Sequence, residues 1–410
     1  MSSENSLLEP YIDILNNIGK IYYYPLREYL HSNQHLIKTF TAFLLSPQHI
    51  SIYIGRAHIA IEYFGNEKSN SIPDENELSL SCFDYSIDTE PLLDRIIGFS
   101  YDSTMKGGFK FPLPPFSEDL ILPTNNGIDE LLKLKWNFVA QNGVIGINSP
   151  GFEIYEGQSC RIINGRFYDA DEHGLKTRHI KWIDFLPISR IDNGDYTEIL
   201  KINTSMLTDT IPHVAHYTYP EPSKEDFKNF KLPRINRFIE IIGTKESSET
   251  AITSFLESSD NKFILTMGFM AKEIYGQVIC NWQSQDRPAI KPDFFIVKPD
   301  GYADIVEFKL PNLKSSLIVG KANRETFSSE VNSYIAQTRV YSQYFEDPNN
   351  RKWFEEKYGF KVRYPRRILV MGRRWNFGSE EWRDIKRDYR DLDIISFDEL
   401  VDGVVAQFYL

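Results

Sequence analysis

The sequence predicts two regions of different class. The first half is β-rich α+β, and the second is an α/β domain with a mixed sheet flanked by helices. Three observations carry this. At 410 residues the chain exceeds one ordinary domain. Its first 220 residues are short apolar segments that alternate and are separated by Pro, Asn and Gly turns. After a proline-rich break the order becomes helix, three strands, helix, strand, as in an α/β core.

In the first region, Tyr11, Ile14, Leu15 and Ile18 sit at helical spacing, so a short helix ending near Gly19 is expected. His49–Gly55 and Ala57–Tyr63 alternate around Gly55-Arg56 like a hairpin, and Leu78–Phe83 alternates as well. Ile128–Trp136 reads as a second helix. Pro112–Pro115 and Pro123–Gly127 read as turns. His213 and His216 are three apart, but no Cys or further His follows at ligand spacing, so they read as ordinary surface or core residues.

Pro212–Pro222 reads as the break between regions. The expected division is an N-terminal regulatory or sensing region over 1–220, a linker over 221–235 and a catalytic domain over 236–410. Phe238–Ile242 leads into a helix over Lys245–Ser258, whose apolar face holds Ile252, Phe255 and Leu256. Ile274–Trp282 is the next strand. Phe294–Val297 and Ile305–Leu310 follow as buried strands joined through Pro299-Asp300-Gly301. A long helix is expected over Glu325–Phe345, then strands at Arg366–Met371 and Ile394–Phe397.

Composition narrows the function. The chain is 41% hydrophobic and 25% charged, as in folded globular proteins. No apolar run approaches the ~20 residues of a membrane span, so no membrane partner is expected. Cys82, Cys160 and Cys280 form no C-x-x-C, and the start of the chain has no signal-peptide pattern. A reduced cytoplasmic setting is therefore expected. The net charge of −11 is unevenly spread: residues 291–410 hold 20 Lys/Arg against 19 Asp/Glu, leaving 26 against 38 before them. Lys361, Arg363, Arg366, Arg367, Arg373 and Arg374 fall in a stretch without an acid. That stretch is either a phosphate-binding stripe or a solvated edge whose Arg stems cover apolar surface.

The chemistry-bearing segment is Lys291–Val297 with Ala303–Lys309. Residues two apart on a strand share a face, so Glu307 and Lys309 project together while Phe308 faces a core. Asp293 joins them if the strands pair as a hairpin, whereas Asp304 has the wrong parity. Taken alone, such an E-x-K pair also reads as a solvated ion pair. The apolar strands around it favour a metal site, because charge at the ends of buried strands is costly without a use. Glu249 points along its helix toward the apolar face. On the long helix Glu330, Gln337 and Tyr341 share a side, which also reads as a solvent boundary.

The full order is Glu249, then Pro292-Asp293, Glu307-Phe308-Lys309 and Gln337-x-x-x-Tyr341. It resembles the PD-(D/E)xK nuclease superfamily, with the last motif similar to the Q-x-x-x-Y of its RecB-like branch. Arg287–Pro311 resembles the C-terminal domain of Shedu anti-phage nucleases, a likeness covering about residues 240–400. The resemblance implies a restriction-endonuclease-like C-terminal fold and an Mg²⁺-dependent DNA endonuclease of bacterial anti-phage defence. It implies Asp293, Glu307 and the Phe308 carbonyl as metal ligands, with Mn²⁺ able to substitute for Mg²⁺. Lys309, Gln337 and Glu249 are implied as further catalytic residues, Glu257 being a rival to Glu249. Arg366, Arg367, Arg373, Arg374 and Tyr341 are the candidate contacts to double-stranded phage or plasmid DNA. A homo-oligomer, dimer or tetramer, is expected. The absence of His after residue 216 excludes histidine-dependent nuclease chemistry in this domain. The competing readings are a repair or restriction nuclease of the same fold, and a catalytically silent nucleic-acid-binding assembly module.

Overall fold

The computed structural model describes residues 12–67, 78–101, 116–141, 143–146, 157–192, 198–219, 227–284, 286–313, 316–321, 324–377 and 380–409. The chain is a mixed α/β protein with several sheets, and it divides into two compact units. The first comprises Met1–Asp129, Gln141–Ala170 and Lys176–Pro222. The second comprises Glu130–Ala140, Asp171–Leu175 and Ser223–Leu410. Among the described residues no helix is long and apolar enough to cross a membrane.

The first unit is built on a sheet whose described strands are β1 (His49–Ile54), β2 (His58–Phe64), β3 (Ser79–Asp84), β4 (Phe116–Glu118), β5 (Leu120–Pro123), β6 (Val144–Ile145), β7 (Cys160–Asp171), β8 (Gly174–Asp192) and β9 (Glu198–Ile202). Their order is β3-β1-β2-β8-β7-β5-β6, with β4 on β7 and β9 on β8. The expected hairpin is β1–β2, antiparallel from His49 opposite Phe64 to Ile54 opposite Ile59. The helix expected to end near Gly19 instead passes through a π turn at Gly19–Tyr23 into Tyr24–Ser32. Tyr22, Leu26 and Leu30 are buried there in one apolar cluster with Ile52, Ile61 and Trp182, and that burial outweighs the glycine stop signal. The Pro112–Pro115 turn lies outside the described residues. Pro123 closes β5, and Asn125–Lys133 is already helical.

The second unit holds the five-stranded sheet β10-β11-β12-β15-β16: β10 (Glu273–Gly276), β11 (Phe294–Val297), β12 (Ala303–Phe308), β15 (Arg367–Val370) and β16 (Leu392–Ile395). A two-residue ribbon, β13 (Ile318–Val319) with β14 (Thr326–Phe327), lies between β12 and β15 in sequence. The first three strands of the large sheet are antiparallel and the last three parallel, so the sheet is mixed. Strand parity sends Phe294 and Phe308 to one face, where they meet each other and Phe397 of the Phe397–Tyr409 helix. It sends Phe295 and Ile305 to the other, where they pack with Tyr341 of the helix Ser329–Tyr344, Phe345 just past its end and Phe354 of the helix Pro348–Tyr358. Helices thus cover both faces.

Several boundaries differ from the sequence reading. Residues 220–226 lie outside the described residues, and 227–235, expected as linker, open the helix Phe227–Gly243. That helix also contains Phe238–Ile242, and its Pro233 does not end it. The next helix is shorter than expected, Glu249–Glu257, because Ser248 caps it by accepting from the Ala251 N–H. β10 stops at Gly276, where Gln277 turns the chain with φ 55°. The long helix starts at Ser329 under a Ser328 cap, since Thr326-Phe327 is claimed by β14. Phe397, expected in a strand, begins the last helix.

Candidate active site

The β11–β12 register pairs Phe294 with Val306. One step further it sets Asp293 opposite Glu307, and another step sets Pro292 opposite Phe308. Asp293, Glu307 and Lys309 therefore share a face. The Phe308 N–H points toward β11 and donates to Asp293 Oδ2 at 2.8 Å. Proline has no N–H to return to the Phe308 carbonyl on that same side. The Pro-Asp pair thus replaces the last ladder bonds of the hairpin with a carboxylate.

Glu307 and Lys309 are buried at the carboxyl end of β12. Lys309 Nζ donates to Glu307 Oε1 at 2.9 Å and to Glu249 Oε2 at 3.3 Å, and it stands 5.4 Å from the Tyr334 ring centroid. Glu249 is half-buried in the first turn of its helix, whereas Glu257 lies against Gly276 of β10. The structure therefore brings Glu249, not its rival, to the lysine. Gln337 reaches in from the Ser329–Tyr344 helix. Its Nε2 donates to Glu307 Oε1 at 2.6 Å and to the Tyr341 hydroxyl at 2.8 Å. Two donors thus hold one oxygen of Glu307, while the other, Oε2, is buried without a hydrogen-bond partner.

Burial, followed by the neighbouring Asp293 carboxylate, raises the Glu307 pKa from an ordinary 4.5 to about 7, against the pull of Lys309. Asp293 is raised too, mainly by burial, although the Phe308 N–H and Lys309 oppose this. Burial disfavours the charge on Lys309, but Glu307 and Glu249 outweigh it and the pKa rises. The site therefore keeps a charged lysine between acids that resist losing their protons together.

Among the described residues no group of three or more His, Cys, Asp or Glu side chains is arranged to hold a metal ion. The oxygens that fit a hard divalent cation are fewer. They are the unpartnered Glu307 Oε2 and Asp293 Oδ1, which receives only a 3.4 Å contact from Gln277 Nε2. The Phe308 carbonyl, which Pro292 cannot engage, completes them. Oxygen donors suit a hard cation such as Mg²⁺. Gln277 was not singled out from the sequence. Its position depends on where β10 ends, and no local pattern marks that point.

The arginine stripe divides. Arg367 is 5% exposed, donating to Asp391 and to the Thr338 hydroxyl. Arg373 is 2% exposed, in a two-pronged pair with Asp398. Tyr341 is buried beneath Gln337. These three were expected to touch DNA, and their burial corrects that. The acids that neutralise the stripe come from later in the chain, so local sequence did not reveal them. Arg366 and Arg374 are exposed, paired with Asp393 and Asp402. Arg366 lies at the start of β15, away from Glu307 and Lys309, and Arg374 just beyond its end. Asp304 turns away from the site, accepting the Arg366 N–H. In the first unit His213 pairs with Glu118 and His216 bonds the Pro212 carbonyl.

Residues 246–401 match the family model described as Shedu protein SduA, C-terminal. No curated protein matches the chain.

Proposed function

We propose, for a chain that belongs by its C-terminal region to the Shedu family and hence to anti-phage defence, an Mg²⁺-dependent DNA endonuclease activity that nicks or cleaves phosphodiester bonds. The observation that carries it is a buried Glu307 Oε2 without a hydrogen-bond partner, on a residue beside the Asp293 carboxylate, with Lys309 bonded to the other oxygen. The likeness of this arrangement to the PD-(D/E)xK nucleases supports a restriction-endonuclease-like reading of the second unit. Asp293, Glu307 and the Phe308 carbonyl would hold Mg²⁺ or, in its place, Mn²⁺. Such an ion polarises the phosphate and makes water a stronger nucleophile.

The chain's own residues supply the rest. Lys309 places positive charge where the non-bridging oxygens gain negative charge, and its N–H groups orient the attacking water. Glu249 holds the ammonium from the far side. Gln337, itself steadied by Tyr341, fixes the rotamer of Glu307 and leaves Oε2 turned inward. Double-stranded phage or plasmid DNA is the proposed substrate. The first unit is proposed to regulate access within a homo-oligomer, since a nuclease free to cut would injure its host. Supercoiled plasmid incubated with the full chain tests the activity. Nicking or linearisation is expected with Mg²⁺ or Mn²⁺ and none with EDTA. Binding without cleavage under all these conditions would leave the silent assembly module instead.

A further inference from the structure

Beyond β15 the chain makes a tight turn, Met371-Gly372-Arg373-Arg374-Trp375. It leaves the sheet beside the candidate site: the Lys309 N–H bonds the Val370 carbonyl and the Gly372 N–H bonds the Leu310 carbonyl. Gly372 has φ 63°, the left-handed region that favours glycine, and a Cβ there would lie 2.9 Å from both Asn376 Oδ1 and Leu313 Cδ1, so a larger residue would push these side chains aside. Asn376 closes the turn by accepting the Arg373 N–H at 2.6 Å. Asp398 accepts from Arg373 Nε and Nη2 and from the Arg374 N–H. The product of this bracing is an indole. Trp375 is 64% exposed and lies with its ring centroid 4.6 Å from the Arg373 guanidinium carbon.

A buried Arg–Asp pair contributes little net stability compared with apolar packing, and an exposed tryptophan contributes little burial. Together they make a rigid aromatic surface that is backed by a cation and open to solvent. We propose that Trp375 is a stacking platform for an unpaired nucleobase of the nucleic acid engaged at Asp293, Glu307 and Lys309. This rests on the nuclease reading and adds a specificity-determining residue to it. A flat ring recognises the π-face of any base and so favours nucleotides out of the duplex stack. Arg373 cannot supply this by itself, since its guanidinium lies buried beneath the ring. Tyr364 is 75% exposed under Arg363 but precedes β15, at the opposite end of the strands, and serves as the control.

The test uses the full chain in EDTA, where no hydrolysis occurs, with a fluorescent single-stranded oligonucleotide, the same oligonucleotide carrying a run of abasic sites, and a duplex. Trp375→Ala is expected to weaken single-strand binding about 5- to 100-fold, while Trp375→Phe and Tyr364→Ala bind as wild type. The abasic probe is expected to lose affinity for wild type but not for Trp375→Ala. Equal single-strand affinity of wild type and Trp375→Ala overturns the platform, as does the same abasic penalty in both. So does a change in oligomer mass of Trp375→Ala with unchanged DNA affinity, which would make Trp375 a protein contact. Tight binding that depends on Trp375, without cleavage in Mg²⁺, would keep the platform and refute the nuclease. Cleavage together with a silent Trp375→Ala would do the reverse.

Discussion

Arg161 and Asp184 on strands of the first unit, and Glu307 with Lys309 at the end of β12 in the second, are both buried ion pairs. In each, one carboxylate oxygen has no hydrogen-bond partner, Asp184 Oδ2 in one case and Glu307 Oε2 in the other. The surroundings separate them. Arg161 lies 5.0 Å from the Trp182 ring centroid and bonds Thr210, and Tyr22 and Tyr63 are fully buried around the pair. Its partner Asp184 lies mid-strand on β8. Glu307 and Lys309 sit instead at a strand end, beside a second acid, and meet the half-buried Glu249 and the exposed Gln337. A buried charge alone is a packing solution. A second acid against it, at a strand end that meets exposed residues, is what sets the candidate site apart.

The sharpest way to break this contrast is to delete one member from each pair. Asp293→Ala, Glu307→Ala and Lys309→Ala are each expected to lower plasmid cleavage by roughly a thousandfold or more, with the fold retained, because in the proposed mechanism they would hold the ion, orient the water and offset the charge on the phosphate. Asp184→Ala is expected to act on stability instead. Removing one partner of a sealed pair costs about 3–5 kcal/mol, read as a large fall in the thermal midpoint. Wild-type cleavage by the first three variants would remove the active-site assignment. An unchanged midpoint for Asp184→Ala would remove the distinction between the pairs.

The second test uses protons. With its pKa raised from 4.5 to about 7, Glu307 favours the folded state fully below about pH 4.5, and that contribution is lost as pH rises through about 7. The loss grows as pH rises toward 8 when no cation is bound. Glu307→Gln is therefore expected to raise the thermal midpoint at pH 8 and barely move it at pH 4.5. A divalent ion needs the carboxylate deprotonated, so the Mg²⁺-induced rise in midpoint of the wild type should be small at pH 6 and larger at pH 8. A Mg²⁺ effect that is flat across this range would detach the cation from Glu307.

How much of this could be read in the sequence depended on distance along the chain. Strand parity placed Glu307 with Lys309, and the short hairpin brought Asp293 beside them. These relations span few residues and follow from a period of two. Gln337 came from helical spacing and a resemblance, and the structure places its Nε2 2.6 Å from Glu307 Oε1. The arginine stripe misled because its neutralising acids, Asp391, Asp393, Asp398 and Asp402, arrive only when β16 and the last helix pack beside β15. Helix ends misled where a local stop signal competed with burial, as at Gly19, or where a two-residue strand claimed the expected first turn, as at Thr326-Phe327.

Gln337 sharpens the comparison at moderate scale. It fixes Glu307 Oε1 without serving the ion, and loss of such a supporting residue typically costs about 10–100-fold. Gln337→Ala is expected to slow cleavage by that much, less than Lys309→Ala, and the isosteric Gln337→Glu is expected to retain less activity than Gln337→Met because a further acid beside Asp293 and Glu307 adds repulsion. A Gln337→Ala variant as dead as Lys309→Ala would move Gln337 into direct contact with the reacting groups.

The smallest effects belong to the exposed arginines, whose pairs lie between the two extremes: charged, near acids, yet in water. Each phosphate neutralised on duplex DNA contributes about 0.9 to the slope of log K against log salt. Arg374 lies just past the end of β15, on the side of Glu307 and Lys309, and Arg366 precedes that strand at its other end. On the proposed nuclease reading, DNA crossing the site would reach the first and not the second. Arg374→Ala is therefore expected to flatten the slope by up to about 0.9, and Arg366→Ala to leave it unchanged. Because Asp402 partly neutralises Arg374, Asp402→Ala should steepen the slope while an exposed pair of this kind changes stability by no more than ~1 kcal/mol. Binding isotherms of the full chain in EDTA between 50 and ~200 mM salt, roughly the range over which such contacts show, give the slopes. Equal flattening by Arg366→Ala and Arg374→Ala would route the DNA along the strands rather than across their carboxyl ends. No change from either would leave the phosphate contacts to other residues and separate the arginine stripe from nucleic acid altogether.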